Sequence, residues 1–280
     1  MGLKITTLIE NMQDEKGKLT AEHGFSVFIE TEKNKLLFDT GQSGAFIRNA
    51  DILGINPADA DAVVLSPGHY DHTGGVPLLV QNIKKKTPFY IGNEFFQKKY
   101  KRQEDGTLRY NGNPFPKEMV TGHELAECHY IGDGVTKLSE DMFLFKNFAR
   151  VTEYEKVNPN FLVETKNGIE TDLFADEIAL GIKRKEGLVL LVGCSHAGIG
   201  NILHQVSERM NIPVAAVVGG THLVEAEEER LSKTAEMLHR YGVKRVAVSH
   251  CTGEAGMELL QKQFGGNFTL NRTGSVLEFD

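Results

Sequence analysis

Four short apolar runs in this chain each lead, within a few residues, into histidine, and that repetition constrains the fold more than any bulk property. Val63-Val64-Leu65 leads into Ser66-Pro67-Gly68-His69-Tyr70-Asp71-His72, and Leu190-Leu191-Val192 into Gly193-Cys194-Ser195-His196. Val217-Val218 leads into Gly219-Gly220-Thr221-His222, and Val246-Ala247-Val248 into Ser249-His250. Short apolar runs rich in valine and leucine read as buried strands. Strands of one sheet end along a common edge, where loops on a rigid scaffold build sites. Glycines at these ends allow close backbone approach.

Imidazole nitrogen and carboxylate oxygen are donors for zinc, manganese or iron. The spacing His69-x-Asp71-His72 fits a tight turn that converges on one or two ions. Any one of these histidines alone reads as a hydrogen-bonded loop residue. Five of ten histidines at four strand ends favour a metal site instead. His204 and His239 fall off the apolar stripes of predicted helices and read as solvated. His123 and His129 lie where the sequence has no clear period. His23 precedes a strand and is a candidate to reach the site. Cys194 and Cys251 adjoin two of the histidines, and small buried neighbours explain them as well as thiol ligands do.

Periodicity predicts strands at Leu3–Ile9, Phe25–Glu30, Lys35–Asp39 and Ala62–Leu65, with helices over Ala45–Leu53 and Gly74–Ile83. Pro77 is compatible with the latter only in its first turn. From about Ile178 strands and helices alternate. Strand Leu188–Val192 precedes helix Gly198–Arg209, Val214–Val218 precedes Glu225–Tyr241, and Arg245–Val248 precedes Ala255–Phe264; a last strand lies near Ser275–Phe279. The expected class is mixed α/β, as one composite domain over 1–280 with an irregular insertion at about 89–161. At and just before the start of that insertion, Lys84-Lys85-Lys86 and Lys98-Lys99-Tyr100-Lys101-Arg102 are interleaved with Phe89, Tyr90, Phe95, Phe96 and Tyr110. The plainer reading is a solvated face over a small aromatic core; the other is a surface for a phosphate and a ring.

Together these motifs resemble the metallo-β-lactamase superfamily. Ser66 to Gly75 is similar to its H-x-H-x-D-H signature, followed by Thr73-Gly74-Gly75, and Leu37-Phe38-Asp39-Thr40-Gly41 resembles its early Asp-Thr-Gly turn. Cys194-Ser195-His196-Ala197-Gly198, Gly219-Gly220-Thr221-His222-Leu223 and Ser249-His250-Cys251-Thr252-Gly253 resemble the branch named after dihydropterin–ribofuranosyl-aminobenzene-phosphate synthase, with members mostly described as metal-dependent hydrolases. The resemblance implies a four-layer αββα sandwich with a metal cleft along one edge. It implies metal ligands among His69, Asp71, His72, His196, His222 and His250, with Asp39 buttressing the metal loop. Asp71 would both bind the metal and orient, or take a proton from, an activated water. Thr73 and Gly74, read as a helix start, would hold an anionic oxygen of the substrate, with His23 as a further contact.

Two departures follow. The first signature histidine falls on Pro67, which has no donor side chain. The usual bridging aspartate has no clear counterpart, His222 being nearest. One metal position would keep Asp71, His72 and His250; the other would retain only His69 and His196, helped by His222. One tight and one weak site are therefore expected for a divalent transition metal, zinc foremost, with manganese or iron as alternatives. The expected function is a metal-dependent hydrolase, or a pterin-precursor synthase using the same activated metal, acting on a small anionic ester or phosphate compound. A ligand-binding sensor and an iron redox protein are the competing classes. A formal charge of −7 gives no pull toward nucleic acid or anionic membrane. With no signal-peptide pattern and three scattered cysteines, a reducing cytoplasm is expected.

Overall fold

Leu3–Ile9 and Ser26–Glu30 form antiparallel neighbours in the sheet, with Lys35–Phe38 beside the second. From Lys35–Phe38 onward the pairing turns parallel, through Ala62–Val64 and Thr87–Gly92 to Ala126–Ile131. Val276–Phe279 closes the other edge against Leu3–Ile9, completing seven strands. This sheet belongs to the first of two compact units in the computed structural model, which describes residues 2–280. The first unit takes in 2–131, 158–176 and 272–279; the second takes in Gly132–Val157 and Glu177–Asn271.

The core of the first unit is built from Leu37, Phe46, Val63, Leu79, Phe89 and their neighbours. Helix Ala45–Ile52 contributes Phe46, Asn49 and Ala50 to the interior. Asn49 is tolerated there because its amide donates to Leu8 O and Thr20 O, both at 2.8 Å, and accepts from Thr20 N at 2.9 Å. Helix Val76–Asn82 carries Pro77 in its first turn, where no intrahelical N–H is needed.

The second unit has its own seven-stranded sheet. Phe268–Leu270, Arg245–Ser249, Val214–Gly220 and Gly187–Val192 run parallel; Ile178–Arg184, Met142–Lys146 and Gly134–Lys137 extend it antiparallel. Helices Ile199–Met210, Glu228–Arg240 and Gly253–Phe264 contribute Ile202, Leu238 and Leu260 to its core. The mixed α/β class is as the sequence indicates.

Residues 89–161, which show no period in the sequence, contain several short strands. Lys99–Arg102 and Leu108–Tyr110 join Phe161–Thr165 and Gly168–Thr171 in a four-stranded sheet of the first unit. Strands of three to five residues complete too few alternations to stand out. No helix among the described residues is long and apolar enough to cross a membrane.

Candidate metal centre

In the first unit Phe38 and Val64 lie abreast in parallel register, so the residues after them leave the sheet side by side. Asp39 turns there with φ 57°, a left-handed conformation uncommon outside glycine. Its buried carboxylate accepts from Ser66 N at 2.7 Å and Ser66 Oγ at 2.6 Å, and meets His72 Nδ1 at 2.7 Å. That contact places the His72 proton on Nδ1 and leaves Nε2 as the donor nitrogen. His72 O is held in turn by Thr40 N at 2.7 Å, so backbone and ring are both fixed.

His72 Nε2 lies 3.7 Å from Asp71 Oδ2. Two donors at ~2.0–2.2 Å from one ion can be at most ~4.2 Å apart, so this pair fits a shared divalent metal. His23 Nε2 also reaches Asp71 Oδ2, at 3.4 Å, from an exposed position. His69 lies against the rings of Phe161 and Phe174, with centroids 6.3 and 6.0 Å away. Burial, and then the charge of Lys99, push its pKa down to about 3, so it is a neutral imidazole.

Lys99 departs from the sequence expectation. It belongs to the run read as a solvated basic face, yet it is only 2% exposed. Its ammonium donates to Asp172 Oδ2 at 2.9 Å and Asp176 Oδ1 at 2.6 Å. The other Asp176 oxygen accepts from Gly68 N at 2.7 Å, next to Pro67. Burial opposes the charge on Asp176, but Lys99 and the Gly68 amide hold its carboxyl below the usual range. The metal loop of the first unit therefore rests on Asp39 at one end and on the Lys99–Asp176 pair in the middle.

In the second unit Val192, Gly219 and Val248 lie abreast in parallel register. The three loops beyond them carry Cys194 to His196, His222, and His250 with Cys251. Ser195, His222 and His250 hold φ of 60°, 46° and 57°. Gly219 is required as it stands, since its φ is 119° and a Cβ would run into Val192 O. Glu177 accepts from His196 N at 2.6 Å and Ala197 N at 2.7 Å. Glu155 caps the following helix through Gly200 N at 2.8 Å and Asn201 N at 2.9 Å.

Within this unit His196 and His222 bring their ring centroids to 4.2 Å. Cys194 Sγ lies 3.3 Å from His250 Nε2, and Cys251 Sγ donates to Cys194 O at 3.3 Å. Burial alone would raise the Cys251 thiol; its contact with Cys194 and the neighbouring His250 and His222 bring it well below the usual thiol range.

Of the remaining expected residues, Thr73 and Gly74 do not open a helix. Thr73 N donates to His69 O at 3.0 Å and Gly74 N to Tyr70 O at 2.9 Å, closing the short helix Tyr70–Thr73. Thr73 Oγ1 also bonds His69 O, at 2.8 Å, so the anion cradle expected there has its donors already engaged. His204 bonds Tyr241 Oη at 2.8 Å, and His239 stacks on Phe264 with centroids 4.5 Å apart. Lys99, Asp172, Asp176, Glu155 and Glu177 were not foreseen; the only signal for them is acidic or basic residues that turn out to be buried.

Residues 19–132 match the family model of the metallo-β-lactamase superfamily. The chain is 30% identical to 7,8-dihydropterin-6-methyl-4-(β-D-ribofuranosyl)-aminobenzene-5′-phosphate synthase of Methanocaldococcus jannaschii, over 99% of this chain and 97% of that protein. Among solved structures it is similar to Tm1679, described as a metal-dependent hydrolase of the β-lactamase superfamily, with 31% identity, a TM-score of 0.85 and 99% of each chain covered. YhfI of Bacillus subtilis, a metallo-β-lactamase fold protein, shares the fold at a TM-score of 0.61 and 13% identity, with 100% of each chain covered. The chain belongs to the metallo-β-lactamase superfamily. Within it, the similarity falls in the branch of synthase-like and metal-dependent hydrolase proteins.

Proposed function

We propose that this protein is a metal-dependent hydrolase that acts on a small anionic ester or phosphate compound. The observation that carries this reading is the buried Asp39–His72 pair at 2.7 Å, with the second nitrogen of His72 facing the Asp71 carboxylate. Such a carboxylate-held imidazole is the usual support for a metal ligand. The family relation supports Asp71 and His72 as ligands of the tighter position, and zinc as its metal.

A divalent metal, when bound, supplies Lewis-acid polarisation and an acidified water. Asp71 would help hold the metal and orient its water, and His23 lies within reach of the same carboxylate at the exposed side. Neutral His69 is available as a donor without first losing a proton.

The synthase relative supports a second reading, in which the same metal centre serves a pterin-precursor synthase instead. Elemental analysis and turnover on ester and phosphodiester panels test the proposal. His72→Ala is expected to lose both the metal and turnover, while His239→Ala, on the helix surface, keeps both. A metal-loaded protein that turns over none of these compounds would overturn the hydrolase and favour the synthase or a binding role.

A further inference from the structure

We propose that Cys194, His222 and Cys251 form a sulfur–nitrogen site for a thiophilic divalent ion, zinc or cadmium, within the second unit. The three residues follow three adjacent parallel strands, Gly187–Val192, Val214–Gly220 and Arg245–Ser249, and are 3%, 9% and 7% exposed. Each contributes one donor atom, and the three atoms lie within 4.8 Å of one another. With Zn–S of ~2.3 Å, two sulfurs on one ion are at most ~4.6 Å apart and ~3.8 Å apart at a tetrahedral angle. Closing the set on an ion therefore asks only for a small inward movement of side chains.

The loops are already fixed for this. Thr221 N and Oγ1 lie 3.2 and 3.1 Å from Thr252 Oγ1, which ties the His222 loop to the Cys251 loop. Ser195 Oγ donates to Gly220 O at 2.7 Å, tying the Cys194 loop to the His222 strand. The left-handed φ of 46° at His222 fixes the direction in which its ring leaves the backbone. The two thiols distinguish this group from the imidazole and carboxylate ligands that the superfamily motif supplies, among which only His222 is shared. Two thiolates select soft or borderline ions over magnesium, calcium or manganese.

Each cysteine binds as the thiolate: a metal–sulfur bond forms at each, any S–H bond still present breaks with its proton passing to the buffer, and His222 donates a lone pair. The proposal does not depend on hydrolytic activity, and its test reads no turnover.

Full-length protein stripped with chelator is titrated with Cd2+ under reducing, oxygen-free conditions. Expected is an ultraviolet sulfur-to-cadmium charge-transfer band that saturates with bound cadmium. Cys194→Ser and Cys251→Ser should each reduce the band and weaken cadmium binding by at least about 10-fold, since a direct ligand matters no less than the groups that orient one. A band that disappears with Cys194→Ser but survives Cys251→Ser at full height would overturn the two-thiol site. If the variants do not fold, the unaltered protein still decides: cadmium that gives no band, or that slows a thiol reagent no more at Cys194 and Cys251 than at the more exposed Cys128, also overturns it.

Discussion

Asp39, Ser195, His222 and His250 share a backbone conformation that L-residues adopt at a cost of about 1–3 kcal/mol each. All four stand just beyond strand ends that carry donor side chains, where the pairing of the sheets over-determines the turn. Pro67 is the residue in the same region whose effect is easiest to isolate. It is buried between Ser66, held by Asp39, and Gly68, held by Asp176. Pro67→His adds a nitrogen donor two residues before His69 and keeps a backbone that histidine can adopt. Affinity for a second metal should rise by at least about 10-fold in competitive chelator titration. A folded variant with unchanged second-metal affinity would show that position 67 does not face a ligand vacancy.

At the scale of elements, the helix Ile199–Met210 shows what holds a loop in place. Glu155, far away in sequence, supplies the acceptor for Gly200 N and Asn201 N, and Thr152 Oγ1 bonds the same carboxylate at 2.9 Å. Burial pushes its carboxyl up, against the bonds that favour the anion. Glu155→Ala should therefore lower stability by about 1–3 kcal/mol, read as a shift of the urea midpoint, with Glu155→Gln losing less because one acceptor oxygen remains. An unshifted midpoint would mean that water replaces the carboxylate without penalty.

The strand–helix alternation after Ile178 was legible because valine-rich runs are followed by helices with a clear apolar stripe. The histidine-bearing loops were legible because each directly follows a short valine- or leucine-rich run that forms a strand. Glu155 and Lys99 were not. A lysine in Lys98-Lys99-Tyr100-Lys101-Arg102 looks solvated, and its partners Asp172 and Asp176 are 73 and 77 residues away. The short strands between 99 and 110 were hidden for a different reason: Lys99–Arg102 pairs with the distant Phe161–Thr165, and Leu108–Tyr110 pairs only with Lys99–Arg102, so neither carries a pattern of its own.

At the scale of the whole molecule, pH acts through groups that the fold keeps in one protonation state. His69 is neutral in the native protein down to about 3, whereas an unfolded histidine takes up a proton near 6.5. The unfolded state then binds more protons between those values, so stability must fall as pH drops from about 6.5 toward 3. Asp176, with its carboxyl held low, adds a loss of the same sign at the acid end. Metal-free protein is expected to unfold at lower urea at pH 5 than at pH 7, by up to about 1.4 kcal/mol per pH unit for one such group. Equal or greater stability at pH 5 would contradict the buried neutral imidazole.

The enclosure of Lys99 also gives the first unit a built-in chemical clock. An acylating reagent needs an accessible, deprotonated amine, and Lys99 offers neither while its ammonium is clamped between two carboxylates. Exposed Lys84, Lys85 and Lys98 should be modified within the first minutes of exposure, and peptide mass spectrometry would find Lys99 blank. Its label should accumulate only as often as the four-stranded sheet opens, so the rate at that one amine reports an opening frequency that no probe of overall unfolding would isolate. Labelling of Lys99 as fast as Lys98 in native protein would mean that the clamp is not closed in solution.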